Sequence, residues 1–315
     1  MTHRYAMSIF LPVLLLLGGG LACSKKPSTA PDPYRNKTAP ELLASGEMYM
    51  QNGKWEDGRK MLRSIEERLP SSKEFPAAKL LIADSFFFGS STSYPEAMVE
   101  YKSYLNYFPR SDRRDYALFR IALCHYATIE NAERDQAETR KAMEAFQDLL
   151  REAPGSVYAV DAKAKITQCW RRLAESELMV GIFYVNSFSF GPAERRLKGL
   201  LDTYPDYVDR ERAYFFLAEA LRKKALERDQ VTAFQKEYLA KIEKEDLSKL
   251  SKEETAQYQE ALKAYADGET AKNRLEARSY YQKLVESYPT STWAARASDR
   301  LVEMGQSGLK EELDS

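Results

Sequence analysis

Five prolines set the frame of this chain. Pro70, Pro109, Pro154, Pro205 and Pro289 each close an apolar segment of helical period. Twelve residues before them stand Gly58, Ala97, Ala142, Ala193 and Ala277, and eight before them Leu62, Tyr101, Phe146, Leu197 and Tyr281. Eight after them stand Ala78, Ala117, Ala162, Ala213 and Ala297, and twelve after them Ile82, Ile121, Ile166, Leu217 and Leu301. Residues four apart share one helix face, so each pair sets a small residue beside a large one. The small one lets a neighbouring helix approach and the large one fills the space between. Proline then ends the helix, because it has no N–H to donate and its ring clashes with the preceding turn. The pattern predicts an all-α fold, a solenoid of helix–turn–helix units.

The spacing resembles the tetratricopeptide repeat. Gly46, Tyr49, Gly58, Leu62 and Pro70 keep its order, and so do Gly181, Tyr184, Ala193, Leu197 and Pro205. Five tetratricopeptide-like repeats are expected, with second helices ending at Leu69, Phe108, Ala153, Tyr204 and Tyr288. A capping helix is expected from Trp293 to Met304. Tyr158 to Asn186 carries no breaker and predicts one long helix, and Asn131 to Glu138 reads as a polar loop. Between Ala218 and Ala277 the fifth repeat is far too long, which predicts a charged helical insertion over about residues 224–272, as one or two projecting helices.

The ends of the chain carry other signals. Residues 1–22 read as a lipoprotein signal peptide: Arg4, an apolar run from Ala6 to Leu17, then Gly18 to Ala22 before Cys23. The run is too short to span a bilayer, which takes about 20 residues. Cys23 resembles the acylated cysteine of a bacterial lipobox, although Gly20 and Leu21 stand in the reverse of the usual order. Residues 23–40 read as lipid anchor and Pro-rich tether, and residues 41–315 as the repeat domain. Lys+Arg and Asp+Glu both number 47, so no basic excess points to nucleic acid. Only two histidines and three cysteines are present, and His3 is lost with the signal. No metal, cofactor or catalytic residue is expected. Cys124 and Cys169 occupy equivalent places in successive repeats, about a helix diameter apart, too far for a disulfide.

LASGEMYMQNGKWEDGRKMLRSIEERLP and RLAESELMVGIFY followed by AERRLKGLLDTYPD resemble the first and fourth repeats of the BamD family. These are lipoproteins of the bacterial machine that assembles outer-membrane β-barrels. The resemblance covers about residues 40–224. It implies a non-enzymatic scaffold at the periplasmic face of the outer membrane. Its partners would be a POTRA domain of BamA, other Bam lipoproteins and unfolded barrel proteins. An arginine matching Arg196 would face the POTRA domain, and its neighbour Arg195 joins it on the exposed side of the helix. An aromatic groove for client peptides draws on Tyr49, Phe87, Tyr116, Phe119 and Tyr126. A second reading is another periplasmic tetratricopeptide adaptor, such as a secretin pilotin or a Tol–Pal coordinator. A peptidoglycan lyase would need a catalytic domain for which no segment remains.

Overall fold

A computed structural model describes residues 34–206, 209–244, 251–253 and 269–313. Its helices are α1 (Ala39–Gln51), α2 (Trp55–Arg68), α3 (Phe75–Phe88), α4 (Tyr94–Tyr107), α5 (Arg114–Ala127), α6 (Ala137–Glu152), α7 (Ala159–Asn186), α8 (Phe190–Thr203), α9 (Arg210–Lys244), α10 (Glu269–Ser287) and α11 (Thr292–Leu313). There is no strand among the described residues. Successive helices pack on one another, and α9 packs on α10 across the segment between them. The fold is an all-α, tetratricopeptide-like solenoid.

The proline register explains the packing. Of its twenty positions only Ile166 and Leu301 are half-buried, and the rest are buried. The close approaches fall where the small residues stand. A Cβ on Gly46 would lie 2.7 Å from Leu62, and one on Gly181 would lie 2.5 Å from Leu197. Both glycines therefore let a first helix sit directly on the leucine of the second. The helices α2, α4, α6 and α8 end one residue before Leu69, Phe108, Ala153 and Tyr204, each of which returns its N–H to the carbonyl four residues back. At the N-terminal end of the stack, Thr38 and Glu41 form a capping box on α1, in which the Thr38 N–H and hydroxyl both donate to the Glu41 carboxylate at 2.8 Å.

Buried charge ties neighbouring pairs together. Lys79, on α3, is 3% exposed and meets Glu66 of α2 at 2.7 Å and Glu100 of α4 at 2.8 Å. Burial opposes its charge, but these two carboxylates outweigh that and raise its pKa. Cys124 and Cys169 are both buried and unpaired, and burial pushes their thiols up to about 12 and about 11.

One element matches the sequence reading to within a residue, and two extend it. The long helix α7 starts at Ala159 and runs 28 residues. The final helix runs on to Leu313, past the expected end at Met304. The expected insertion begins as a continuation of α9, a single helix of 35 residues. The rest of that insertion up to residue 268, apart from residues 251–253, lies outside the described residues, as do the signal, Cys23 and the tether through residue 33.

Two turns of the stack are built alike. After α1, Lys54 donates to Tyr49 O at 2.8 Å and Gly53 to Met50 O at 2.9 Å. After α7, Ser189 donates to Tyr184 O at 2.9 Å and Phe188 to Val185 O at 3.3 Å. This is the helix C-terminal turn in which one residue takes a left-handed backbone. Gly53 takes it with φ 75°. Phe188 takes it with φ 57° and is the one non-glycine with positive φ among the described residues. A side chain there costs about 1–2 kcal/mol.

Candidate functional site

A solenoid of helix pairs offers surfaces rather than reactive groups, so a functional site on it consists of accessible side chains around clefts. Three clefts run in series along α7. The largest, about 680 Å³, lies between Tyr126, Ile129, Gln168, Arg171, Glu175 and Asp209. It shares Arg171 with a cleft of about 460 Å³ that holds Trp170, Tyr204 and Pro205. That one shares Thr203 and Tyr204 with a third, about 480 Å³, lined by Glu177, Tyr184, Pro192, Arg195 and Arg196.

Arg195 and Arg196 both lie on the exposed side of α8, because Ala193 and Leu197 turn the other face inward. Arg196 meets Glu177 of α7 at 2.8 Å, with 44% and 33% of the two side chains exposed. Such a pair contributes little to stability in water and remains open to competition from another carboxylate. Arg195 makes no ion pair among the described residues. Beside them Trp170 is 40% exposed and meets Tyr204 edge-on at 5.4 Å. Burial, followed by the charge of Glu177, raises the pKa of Tyr204, so its hydroxyl stays protonated as a donor.

The aromatic groove residues are distributed differently. Tyr116 and Phe119 are each only 8% exposed, and Phe119 stacks on Tyr158 at 4.7 Å. Their rings are spent largely on packing between α5 and the start of α7. Tyr49, Phe87 and Tyr126 are half-buried. The Tyr126 ring lies 4.1 Å beneath the Lys165 ammonium, and its hydroxyl donates to Gln168. Phe87 packs edge-on against Phe88 at 4.9 Å and Tyr94 at 5.4 Å. The structure thus brings Tyr126 to the α7 clefts and leaves Tyr49 and Phe87 in separate neighbourhoods.

Two residues had no signal in the repeat pattern. The Arg120 guanidinium lies 4.4 Å from the Phe88 ring centre and 4.9 Å from those of Phe87 and Tyr116, a cation held on three ring faces. Trp170 is the other. Both stand outside the small–large register, and only their spacing from aromatic neighbours on adjoining helices could have flagged them.

The family profile described as "Outer membrane lipoprotein" (YfiO) matches residues 35–236, and a tetratricopeptide repeat profile matches residues 255–291. "Outer membrane protein assembly factor BamD" of Caulobacter vibrioides is 24% identical over 213 residues, covering 68% of this chain and 69% of the relative. The protein of that name from Haemophilus influenzae is 28% identical over 196 residues, covering 59% and 74%. That from Vibrio cholerae is 26% identical over 210 residues, covering 64% and 83%. Among solved structures, a thermophilic TPR protein in Thermus thermophilus aligns with 84% of this chain and all of its own at 17% identity. The TM-score of that alignment is 0.30. No helix among the described residues is long and apolar enough to cross a membrane. Matched over most of its length, from the capping box of α1 into the long helix α9, the chain belongs to the BamD/YfiO family of tetratricopeptide-repeat outer-membrane lipoproteins, which are scaffolds and not enzymes.

Proposed function

We propose that this protein scaffolds the assembly and insertion of β-barrel proteins into the outer membrane, docking a POTRA domain of BamA on the Arg195–Arg196 face of α8. Family membership supports the general role in barrel assembly. The observation that carries the finer reading is the pair of exposed arginines at the rim of a cleft of about 480 Å³. Arginine forms bidentate bonds to carboxylates, and two side by side define an orientation as well as an attraction. In this reading the chain is made of five repeats, with α9 and α10 framing an insertion over about 224–272 in the fifth. Cys23 carries the acyl chains, residues 23–40 tether the domain to the membrane, and residues 41–315 are the scaffold. Other Bam lipoproteins bind alongside. Unfolded clients are met by accessible rings at separate places along the stack, Tyr49, Phe87 and Tyr126, while Tyr116 and Phe119 pack beneath the surface between them.

The test is Arg196→Glu. Losing one partner of an interfacial charge pair typically costs 2–5 kcal/mol, so binding to the BamA periplasmic region should weaken about tenfold or more. The melting temperature should hardly move, because the pair with Glu177 is exposed. Unaltered affinity would remove this face from the interface. Cys23→Ala tests the anchor separately: the protein should lose its acyl chains and leave the outer-membrane fraction. Full retention there without acyl chains would refute the lipobox reading.

A further inference from the structure

The left-handed turn after α7 holds a side chain that the fold does not need. In the matching turn after α1 the same place is Gly53, and a Cβ added there would meet nothing within 4 Å. Gly53 itself points outward, and at Phe188 the side chain stays mostly in solvent, so it gains little packing to offset the backbone strain. Phe188 nevertheless stands there, 75% exposed, with Phe190 as its one ring neighbour among the described residues, at 6.2 Å. Phe183, one turn earlier on α7, is 63% exposed. Strain kept for one edge-on ring contact inside the chain points to a contact made outside it.

We infer that Phe188 is the apolar anchor of a docking surface whose occupant is a folded protein domain with an apolar recess rimmed by carboxylates. Charge placement fixes that chemistry. The Arg195 Nη1 lies 3.8 Å from where a Cβ of Gly191 would stand, so its guanidinium folds back toward the start of α8, where Phe188 projects. The cleft that holds Arg195 and Arg196 also holds Tyr184 of the same turn. A large ring at the centre with cations beside it is the composition of an interface hot spot. The inference rests on the Arg195–Arg196 docking reading and adds the ring that would carry most of the contact.

The experiment uses the full-length chain in detergent and the periplasmic POTRA region of BamA as the probe. Binding and thermal unfolding are measured for the wild type, Phe188→Gly, Phe188→Asn and Arg196→Glu. Glycine and asparagine both accept the left-handed backbone, so neither variant should lower the melting temperature, and glycine should raise it. Both should weaken binding about tenfold or more. Opposite signs on stability and binding are what a purely structural phenylalanine would not produce. If Arg196→Glu weakens binding but the Phe188 variants bind like wild type, the anchor is refuted and the docking face stands. If the Phe188 variants lose several degrees of melting temperature, the ring serves the fold and the inference fails. If the wild type does not bind the probe, the docking reading falls and this inference falls with it.

Discussion

Asp84 on α3 and Glu219 on α9 stand at the same distance after their repeat prolines, and each accepts a hydroxyl from a register tyrosine, Tyr101 or Tyr281. Their acidities nevertheless move in opposite directions. Burial raises Asp84, and bonds from Tyr101 and Tyr116, with Arg120 and Arg113 nearby, only partly offset it. Burial also pushes Glu219 up, but Arg222, Tyr281 and Arg300 outweigh it and hold its carboxyl below the usual range. The difference lies in where the arginines are. Arg222 reaches Glu219 through two nitrogens, at 3.2 and 3.0 Å, and Arg300 of α11 adds a third bond at 2.9 Å. Arg120 is instead held by the rings of Phe87, Phe88 and Tyr116. One register position thus serves as an ionic clasp at the C-terminal end and as a tyrosine acceptor at the N-terminal end.

The largest effect should come from breaking the clasp. Glu219→Ala leaves Arg222 and Tyr281 without their acceptor and should cost about 3–5 kcal/mol, read by urea unfolding. A loss under about 1 kcal/mol would mean the arginines simply turn to solvent. The pH response follows the same sign. The folded pKa of Glu219 lies below the unfolded one, so its stabilisation is present above the unfolded value and is lost as pH falls through the folded value. Asp84 is the reverse: the folded state disfavours its charge, and that cost fades as pH falls through its raised pKa. Unfolding curves of Glu219→Gln and Asp84→Asn from pH 3 to 7 should diverge accordingly.

A smaller effect separates the hydroxyls. Tyr281→Phe removes a bond to an ionised carboxylate and should cost about 1.5–3 kcal/mol. Tyr101→Phe should cost less, because Tyr116 still donates to the same Asp84 oxygen at 2.7 Å. Equal losses would erase the distinction between the two ends. Smaller still, Asp84→Asn at neutral pH should stay within about 1 kcal/mol of wild type, because both tyrosines donate to one oxygen that an amide retains. The smallest effect on stability belongs to Trp170→Ala, within about 0.5 kcal/mol for an exposed position.

The solenoid was legible because its signal is steric and local. Proline, a small residue and a large residue at fixed offsets state where a helix ends and which face it buries, and no distant contact is needed to read them. Arg195 and Arg196 were legible as exposed for the same reason, being neighbours of Ala193 and Leu197. The clasp was not, because Arg300 comes from a helix far along the chain. Tyr116 and Phe119 were expected in a groove because aromatic density suggested it, yet density does not tell a ring facing Tyr158 from one facing water. Phe188 was invisible for another reason: strain belongs to a dihedral angle, and only the parallel with Gly53 exposes it.

Helix α7 belongs to two cores at once. Ala162 and Cys169 lie in the core with α5 and α6, whereas Ala174, Leu178 and Val185 lie in the one that reaches α11. Over 28 residues it is a rod of about 42 Å with no turn at the seam. Stacked repeats ordinarily open one interface at a time, since each touches only its neighbours. Here the seam cannot open without unwinding the rod itself. Amide hydrogens near Leu173, midway between the cores, should therefore exchange only when both melt, as slowly as the best-protected amides of the chain. For slow deuterium uptake the two halves become a single cooperative unit, and a twist applied to one end is delivered to the other.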